Sequence, residues 1–248
     1  MIHKTVSVLI PCRNRSGRRL DACLHSLRTQ HYPIEQVEIV VSDFGSDVSH
    51  AAALKKLCDS YDCRLVRTET DAMWNRSRAL NLALQEARGD YVVCTDVDIL
   101  FAPNFLSTVC ETLSRENTFV VCRCRDLLPE TEEIPFVPEA YDALHARSKF
   151  RHLLGTGACQ AVRKEWFFDV RGYDEKYVYW GYEDRDMFRR ATRGGLEVVW
   201  IHERTSMLHQ WHPKMDKDRV RLKYMNRFRY FLTGWIVKKN RAGWGNLP

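Results

Sequence analysis

No stretch of this 248-residue chain approaches the run of about 20 apolar residues that a membrane-crossing helix needs. The first apolar run, Val6-Ser7-Val8-Leu9-Ile10, is far too short to span a bilayer and carries no signal-peptide cleavage pattern. The chain therefore reads as cytoplasmic, at most peripheral at the inner membrane face. It has no internal repeat, no low-complexity tract and no recognisable nucleic-acid-binding motif. Zinc-type pairing is also lacking: Cys122-Arg-Cys124 is too tight, and no second Cys/His pair complements it. The nine cysteines are scattered and odd in number. Cys12, Cys94, Cys122 and Cys159 lie in apolar stretches, where a reduced thiol acts as a small hydrophobe, so a reducing compartment is the plain reading.

What remains is an ordinary globular composition, 45% hydrophobic and 28% charged, with length for one large core. The net charge of +6 is unevenly spread. Residues 213–248 carry ten Lys or Arg against Asp216 and Asp218, so this tail holds the whole basic excess. Such a tail suits an anionic neighbour, a membrane surface or nucleic acid, or is simply a solvated helix face. It reads as helical from Asp216 to Val237, with Tyr224, Phe228, Phe231 and Trp235 on one side. That stripe is expected to dock onto the core rather than anchor to a membrane.

Apolar runs and helical spacings alternate through the first half. Strands are expected at Val6–Pro11, Val37–Ser42, Arg64–Arg67, Tyr91–Thr95 and Phe119–Cys122, with another at Glu197–Ile201. Helices are expected near Arg18–Thr29, Ala51–Ser60, Asn75–Ala87 and Asn104–Ser114, with Gly89 closing the third. This order predicts an α/β fold, a mostly parallel sheet whose ligands bind beyond the carboxyl ends of the strands. Asp43, Asp96 and Asp98 fall at that edge. Residues 126–151, broken by Pro129, Pro135 and Pro138, read as a loop or lid, and regular structure resumes at Gly155-Thr156-Gly157. The chain thus divides into 1–125, 126–212 and a basic tail, 213–248, within one domain.

Asp96-Val97-Asp98 ends an apolar strand pattern with two carboxylates. Buried unpaired carboxylates are costly, and strand alternation points i and i+2 the same way, so a hard divalent cation is a natural partner. A turn using Asp for local hydrogen bonds is the plainer alternative.

Four further segments share this order: Ile10-Pro11-Cys12-Arg13-Asn14, Val41-Ser42-Asp43, Asn75-Arg76-Ser77-Arg78, and Tyr179-Trp180-Gly181-Tyr182-Glu183-Asp184. Together they resemble the family 2 glycosyltransferases of the GT-A fold over roughly residues 6–213. The last segment is similar to the Trp-Gly-x-Glu-Asp block of β-1,4-galactosyltransferases and chondroitin-type polymerases. Polypeptide N-acetylgalactosaminyltransferases have Asn where this chain has Asp184.

The resemblance implies a UDP-sugar donor, Mn²⁺ or Mg²⁺, and inverting transfer to an acceptor hydroxyl. By it, Asp184 is the base, Glu183 holds sugar or acceptor, and Trp180 packs on a sugar ring. Pro11, Arg13, Asn14 and Asp43 line the nucleoside, although Phe44 replaces the usual second acid. Arg78 sits near the diphosphate and the first acid of Asp96-Val97-Asp98, Asp96 holds ribose and metal waters, and Asp98 binds metal. A metal-binding His is implied near residue 209; His209 is preferred, with His212 next, and His202 is not separable by spacing. A retaining transferase, a nucleic-acid-binding or modifying protein using the tail, and a silent sugar-binding relative are the rival readings.

Overall fold

Seven buried residues in a row form the first strand, β1 (Val6–Cys12), and the alternation of its side chains divides the core in two. Val6, Val8 and Ile10 pack into one cluster and Leu9 into the other. A strand covered on both faces has no solvent side, which is why its sequence is apolar but for Ser7, whose hydroxyl donates to Glu38 (2.6 Å). The computed structural model describes residues 4–132, 134–151, 155–179, 181–213 and 220–246. After β1 come α1 (Arg18–Arg28), β2 (Val37–Phe44), α2 (Val48–Ser60), β3 (Arg64–Thr68), α3 (Arg76–Glu86) and β4 (Tyr91–Cys94). Then follow β5 (Ile99–Phe101), α4 (Phe105–Leu113), β6 (Thr118–Val121), β7 (Arg125–Asp126), α5 (Tyr141–Ala146), β8 (Lys149–Phe150) and β9 (Gln160–Arg163). The last elements are α6 (Lys164–Asp169), α7 (Glu183–Arg193), β10 (Glu197–Trp200), β11 (Met207–His209) and α8 (Val220–Thr233).

The main sheet runs β10-β6-β9-β4-β1-β2-β3. Its pairings are parallel except at β9, which lies antiparallel between β4 and β6. This is the expected α/β architecture. Gly89, however, does not cap α3, which ends at Glu86. A Cβ there would come within 2.6 Å of the Ser7 amide nitrogen, so glycine lets the chain pass against β1.

Two sequence expectations fail beyond the carboxyl ends of the strands. Strand β4 stops at Cys94, so Asp96 and Asp98 lie in the turn between β4 and β5 and strand alternation does not align them. Residues 126–151 are not loop throughout: they contribute α5 and β8. With β5, β7 and β11 they form a second sheet of order β5-β11-β7-β8. Its residues are few and its register is set by contacts distant in sequence, which no local periodicity reveals.

The tail is also turned the other way round. Tyr224, Phe228, Phe231 and Trp235 are exposed, at 63%, 66%, 63% and 70%. The inward face of α8 is polar. Arg229 forms a two-pronged bond to the buried Asp174 (2.8 and 2.9 Å), and Asn226 donates to the Val178 carbonyl (2.9 Å). Beyond the helix, Lys239 is buried and paired to Asp186 and Asp174. Buried carboxylates left unpaired cost several kcal/mol, so their demand for cations decides which face of α8 turns in.

Candidate active site

The second sheet assembles a cluster of ligand atoms. Its register sets His209 opposite Ile99, the residue after Asp98, and beside Asp126. Gln210 N–H donates to the Asp98 carbonyl (2.8 Å), fixing the turn against β11. One oxygen of Asp98 and one ring nitrogen each of His209 and His212 lie within 4.8 Å of one another. His209 Nε2 is 3.8 Å and His212 Nε2 3.4 Å from the Asp98 carboxylate. The other ring nitrogens are engaged: His209 Nδ1 lies 3.2 Å from Asp126 and His212 Nδ1 2.9 Å from the Pro213 carbonyl. Both rings therefore present Nε2 to one point. A carboxylate behind a ligating imidazole is the usual device for fixing such a ring.

Asp126 is held in turn by Arg151, through bonds of 2.6 and 3.0 Å to one carboxylate oxygen and 3.2 Å to the other. Partial burial would raise its pKa, but His209 and Arg151 hold the carboxyl well below the usual range. One oxygen and two nitrogen donors fit a borderline cation such as Mn²⁺ better than Mg²⁺, which favours oxygen donors. Asp96 stands outside this cluster: Arg76 Nε binds its carboxylate at 2.8 Å.

Arg76 is the basic residue that the turn uses. It also donates to the Gly157 carbonyl (2.7 Å). Burial would lower its pKa, yet Asp96 and Glu183 keep the guanidinium above its ordinary value. Asn75 caps α3 by accepting from the Arg78 amide (2.9 Å), a contact worth about 1 kcal/mol, while the Arg78 side chain is half-buried two positions on. Helix α7 starts beside this pair. Its cap residue, Tyr182, and the preceding Gly181 both have positive φ, 77° and 98°. A left-handed Tyr costs of order 1 kcal/mol or more and persists where the surroundings require it.

The turn at Gly181 and Tyr182 puts Glu183, Asp184 and Asp186 in the first turn of α7, where the helix dipole favours acids. Glu183 is buried and its Oε2 has no hydrogen-bond partner; Arg76 Nη1 is likewise unpaired. Asp184 is half-buried, its Oδ2 accepting from Thr156 Oγ1 (3.4 Å), while Gln160 binds its backbone carbonyl (2.8 Å). A Cβ on Gly157 would sit 3.5 Å from that carboxylate, so the small residue leaves it uncrowded.

At the ends of β1 and β2, Asp43 is fully buried, ion-paired to Arg67 and accepting from the Ser46 amide (3.1 Å). Asn14, with φ 54°, joins the loop after β1 to the loop after β2: its amide donates to Ser46 Oγ (2.7 Å) and its side chain to Asp47 (3.1 Å). Arg13 reaches the Ala72 carbonyl (2.6 Å), and Pro11 is buried in β1 opposite Ser42. Trp180 lies outside the described residues.

The profile of glycosyl transferase family 2 matches residues 7–170. The chain belongs to glycosyl transferase family 2. A second profile, the N-terminal domain of galactosyltransferase, matches residues 138–213. Human polypeptide N-acetylgalactosaminyltransferase 10 is 26% identical over 208 residues, covering 73% of this chain and 34% of that protein. The chain thus spans about a third of the curated relatives it matches first. Among solved structures, a mannosyltransferase from Pyrobaculum calidifontis with GDP-Man and Mn²⁺ superposes with a TM-score of 0.65 at 19% identity, covering 94% of this chain and 64% of that one. GalNAc-T7 with UDP, GalNAc and Mn²⁺ gives 0.66 at 18%, covering 86% and 45%. The fold is GT-A.

Within this family 2 domain, reading the sequence missed Arg76, Asp126, Arg151 and Arg67. Arg76 was in view beside Arg78, but helix rotation decided which arginine reaches Asp96. Asp126 carried no local signal, since its partner His209 is 83 positions away. Replacing it tests the arrangement: Asp126→Asn should weaken Mn²⁺ binding by about 10- to 100-fold. Calorimetric titration of Mn²⁺ reads this directly, and an unchanged affinity would remove Asp126 from the site.

Burial and the neighbouring Asp184 push the Glu183 carboxyl from 4.5 up to about 7, against the opposing charge of Arg76. The folded state therefore binds a proton more tightly than the unfolded chain. That contribution is complete below pH 4.5 and is lost as pH rises through about 7. The gap corresponds to about 3 kcal/mol. Glu183→Gln stays neutral, so relative to wild type it should gain roughly that much stability between about pH 4.5 and 8. Denaturant unfolding of both proteins across this range gives the comparison; a pH-independent difference would contradict the buried, proton-holding Glu183.

Proposed function

We propose that this domain is a metal-dependent inverting transferase that moves a hexose or N-acetylhexosamine from a UDP-sugar to an acceptor hydroxyl. The observation that carries the reading is the combination of a three-ligand cluster, Asp98, His209 and His212, with a half-exposed carboxylate on Asp184 beside the uncrowded Gly157. A cation held by these ligands supplies charge neutralisation of the diphosphate when bound. The solved neighbours with Mn²⁺ support that choice of metal. They hold different nucleotides, GDP-Man and UDP; the galactosyltransferase-like segment at 138–213 favours UDP.

In this reading Asp184 takes the proton of the acceptor hydroxyl. The freed oxygen bonds to the anomeric carbon from the face opposite the leaving group, the bond from that carbon to the diphosphate oxygen breaks, and the nucleoside diphosphate departs. Glu183 and Arg76, each with an unpaired buried polar atom, bind donor hydroxyl and diphosphate oxygen respectively. Buried polar atoms left unpaired in the free protein and satisfied by the ligand give the binding its direction. Asp43, fixed by Arg67 and Ser46, faces the nucleobase, with Pro11, Arg13 and Asn14 along the nucleoside. Arg78 and Asp96 flank the diphosphate and ribose.

The experiment is a screen of nucleotide-sugars with Mn²⁺, reading nucleoside diphosphate release. Release from one UDP-sugar, abolished by chelation, supports the reading; release only from GDP-sugars would overturn the donor, and no release from any donor the activity. A retaining reaction is the rival, since the N-acetylgalactosaminyltransferase relative is 26% identical. Asp rather than Asn at 184 speaks against it, and NMR of the product's anomeric linkage separates the two.

A further inference from the structure

One face of α8 is apolar and has no partner among the described residues. Tyr224, Met225, Phe228, Phe231 and Leu232 on α8, with Trp235 in the turn just past its end, are between 56% and 70% exposed. They recur at the three-and-four spacing that makes a continuous stripe along a helix. A patch of this kind is uncommon on a free soluble surface. Around it the charge has one sign. Residues 220–246 contain no Asp or Glu and seven Lys or Arg. Arg229 and Lys239 turn inward onto Asp174 and Asp186. Arg221, Lys223, Arg227, Lys238 and Arg241 are exposed. Arg227 lies over the edge of the stripe, 5.8 Å from the Phe231 ring centre.

We propose that this face docks the domain onto an anionic lipid bilayer, the rings entering the headgroup boundary and the bases meeting lipid phosphates. Charge complementarity selects this occupant. A second copy would bring one basic rim against another with no acid to offset it, which disfavours a self-paired α8. Nucleic acid would use the bases but leaves Met225 and Leu232 without a purpose, since neither offers a flat face for stacking. Basic residues flanking aromatics and long aliphatics on a single helical face fit a bilayer interface. No helix among the described residues is long and apolar enough to cross a membrane, so the contact would be peripheral.

The docking face is also rigidly tied to the active site. Asp186, the partner of Lys239, sits two positions after Asp184 on α7. The ring of Tyr182, the residue capping α7, packs 5.4 Å from Tyr230 on the inward side of α8. A bilayer held on the outer face of α8 would therefore lie at a fixed position relative to Asp184.

The test is co-sedimentation of the whole chain with vesicles of phosphatidylcholine alone or with phosphatidylglycerol, at low and high salt. Binding should be roughly tenfold or more tighter with phosphatidylglycerol and weaken as salt rises. The double variant Phe228→Ser/Phe231→Ser points outward and should leave the circular dichroism and donor turnover unchanged, while vesicle binding falls at least about tenfold. Equal binding to both vesicle types, no binding, or an unaffected variant overturns the proposal. Two other results do so too: a dimer that the double variant dissolves, which assigns the face to a second copy, and tight oligonucleotide binding without vesicle binding. Donor turnover is read separately, so failure here leaves the transferase reading standing.

Discussion

Asp98→Ala is expected to lower metal-dependent transfer by about three orders of magnitude, the scale of losing several kcal/mol of charge stabilisation at the leaving group. Asp98 supplies the only oxygen among the three clustered ligands, and its side chain is 8% exposed. Without it, two neutral imidazoles face the cation with no balancing charge. The loss should be in metal affinity first: titrating Mn²⁺ should fail to restore nucleotide release at concentrations that saturate wild type. The fold should survive, because the backbone carbonyl of Asp98, which holds Gln210, is unchanged. Arg15 loses only a 3.9 Å contact. Should Asp98→Ala retain wild-type Mn²⁺ dependence, the cation is held elsewhere and the cluster is structural.

Asp184→Asn carries the second large effect. The amide occupies the same space, can keep the contact with Thr156 Oγ1, and leaves the backbone carbonyl that Gln160 binds. What it loses is the ability to accept a proton. Transfer to acceptor should therefore fall by roughly 10²- to 10⁴-fold, with donor affinity unchanged. Measuring kcat and donor KM separately distinguishes this from a binding defect, because an interaction made only in the transition state lowers kcat without raising KM. A modest loss would move the base to Glu183, whose carboxyl, pushed up to about 7, is the other acid in the same turn. In that case Glu183→Gln should show the larger deficit.

The buried strands were legible because a strand covered on both faces must be largely apolar: β4 is, β1 is but for Ser7, and β2 departs only at Glu38 and at its carboxyl end, Ser42 and Asp43. The acids that open α7 were legible as a block because Tyr179-Trp180-Gly181-Tyr182-Glu183-Asp184 is continuous in sequence. The metal cluster was only partly so. The resemblance implies one metal on Asp98, Asp96 and His209, with His212 as the alternative; that both imidazoles meet Asp98, while Asp96 does not, depends on a three-residue strand, β11, pairing with the turn-flanking β5. Short strands carry too little pattern to declare their partners.

By itself the sequence determined strands β1 to β4, β6 and β10, helices α1 to α4, the acids at the carboxyl edge and the family-like blocks that surround them. Each of these is encoded locally, through hydrophobic period or adjacent motif residues. Tertiary structure decided the rest. It chose Arg76 over Arg78 for Asp96, and it turned both imidazole Nε2 atoms towards Asp98 by engaging their Nδ1 atoms. It also set the polar face of α8 inward and left its aromatics outside. The physical reason is common to all three. A buried charged or polar group must find a partner wherever the chain brings one, and at α8 that requirement overrides the preference of apolar side chains for the interior.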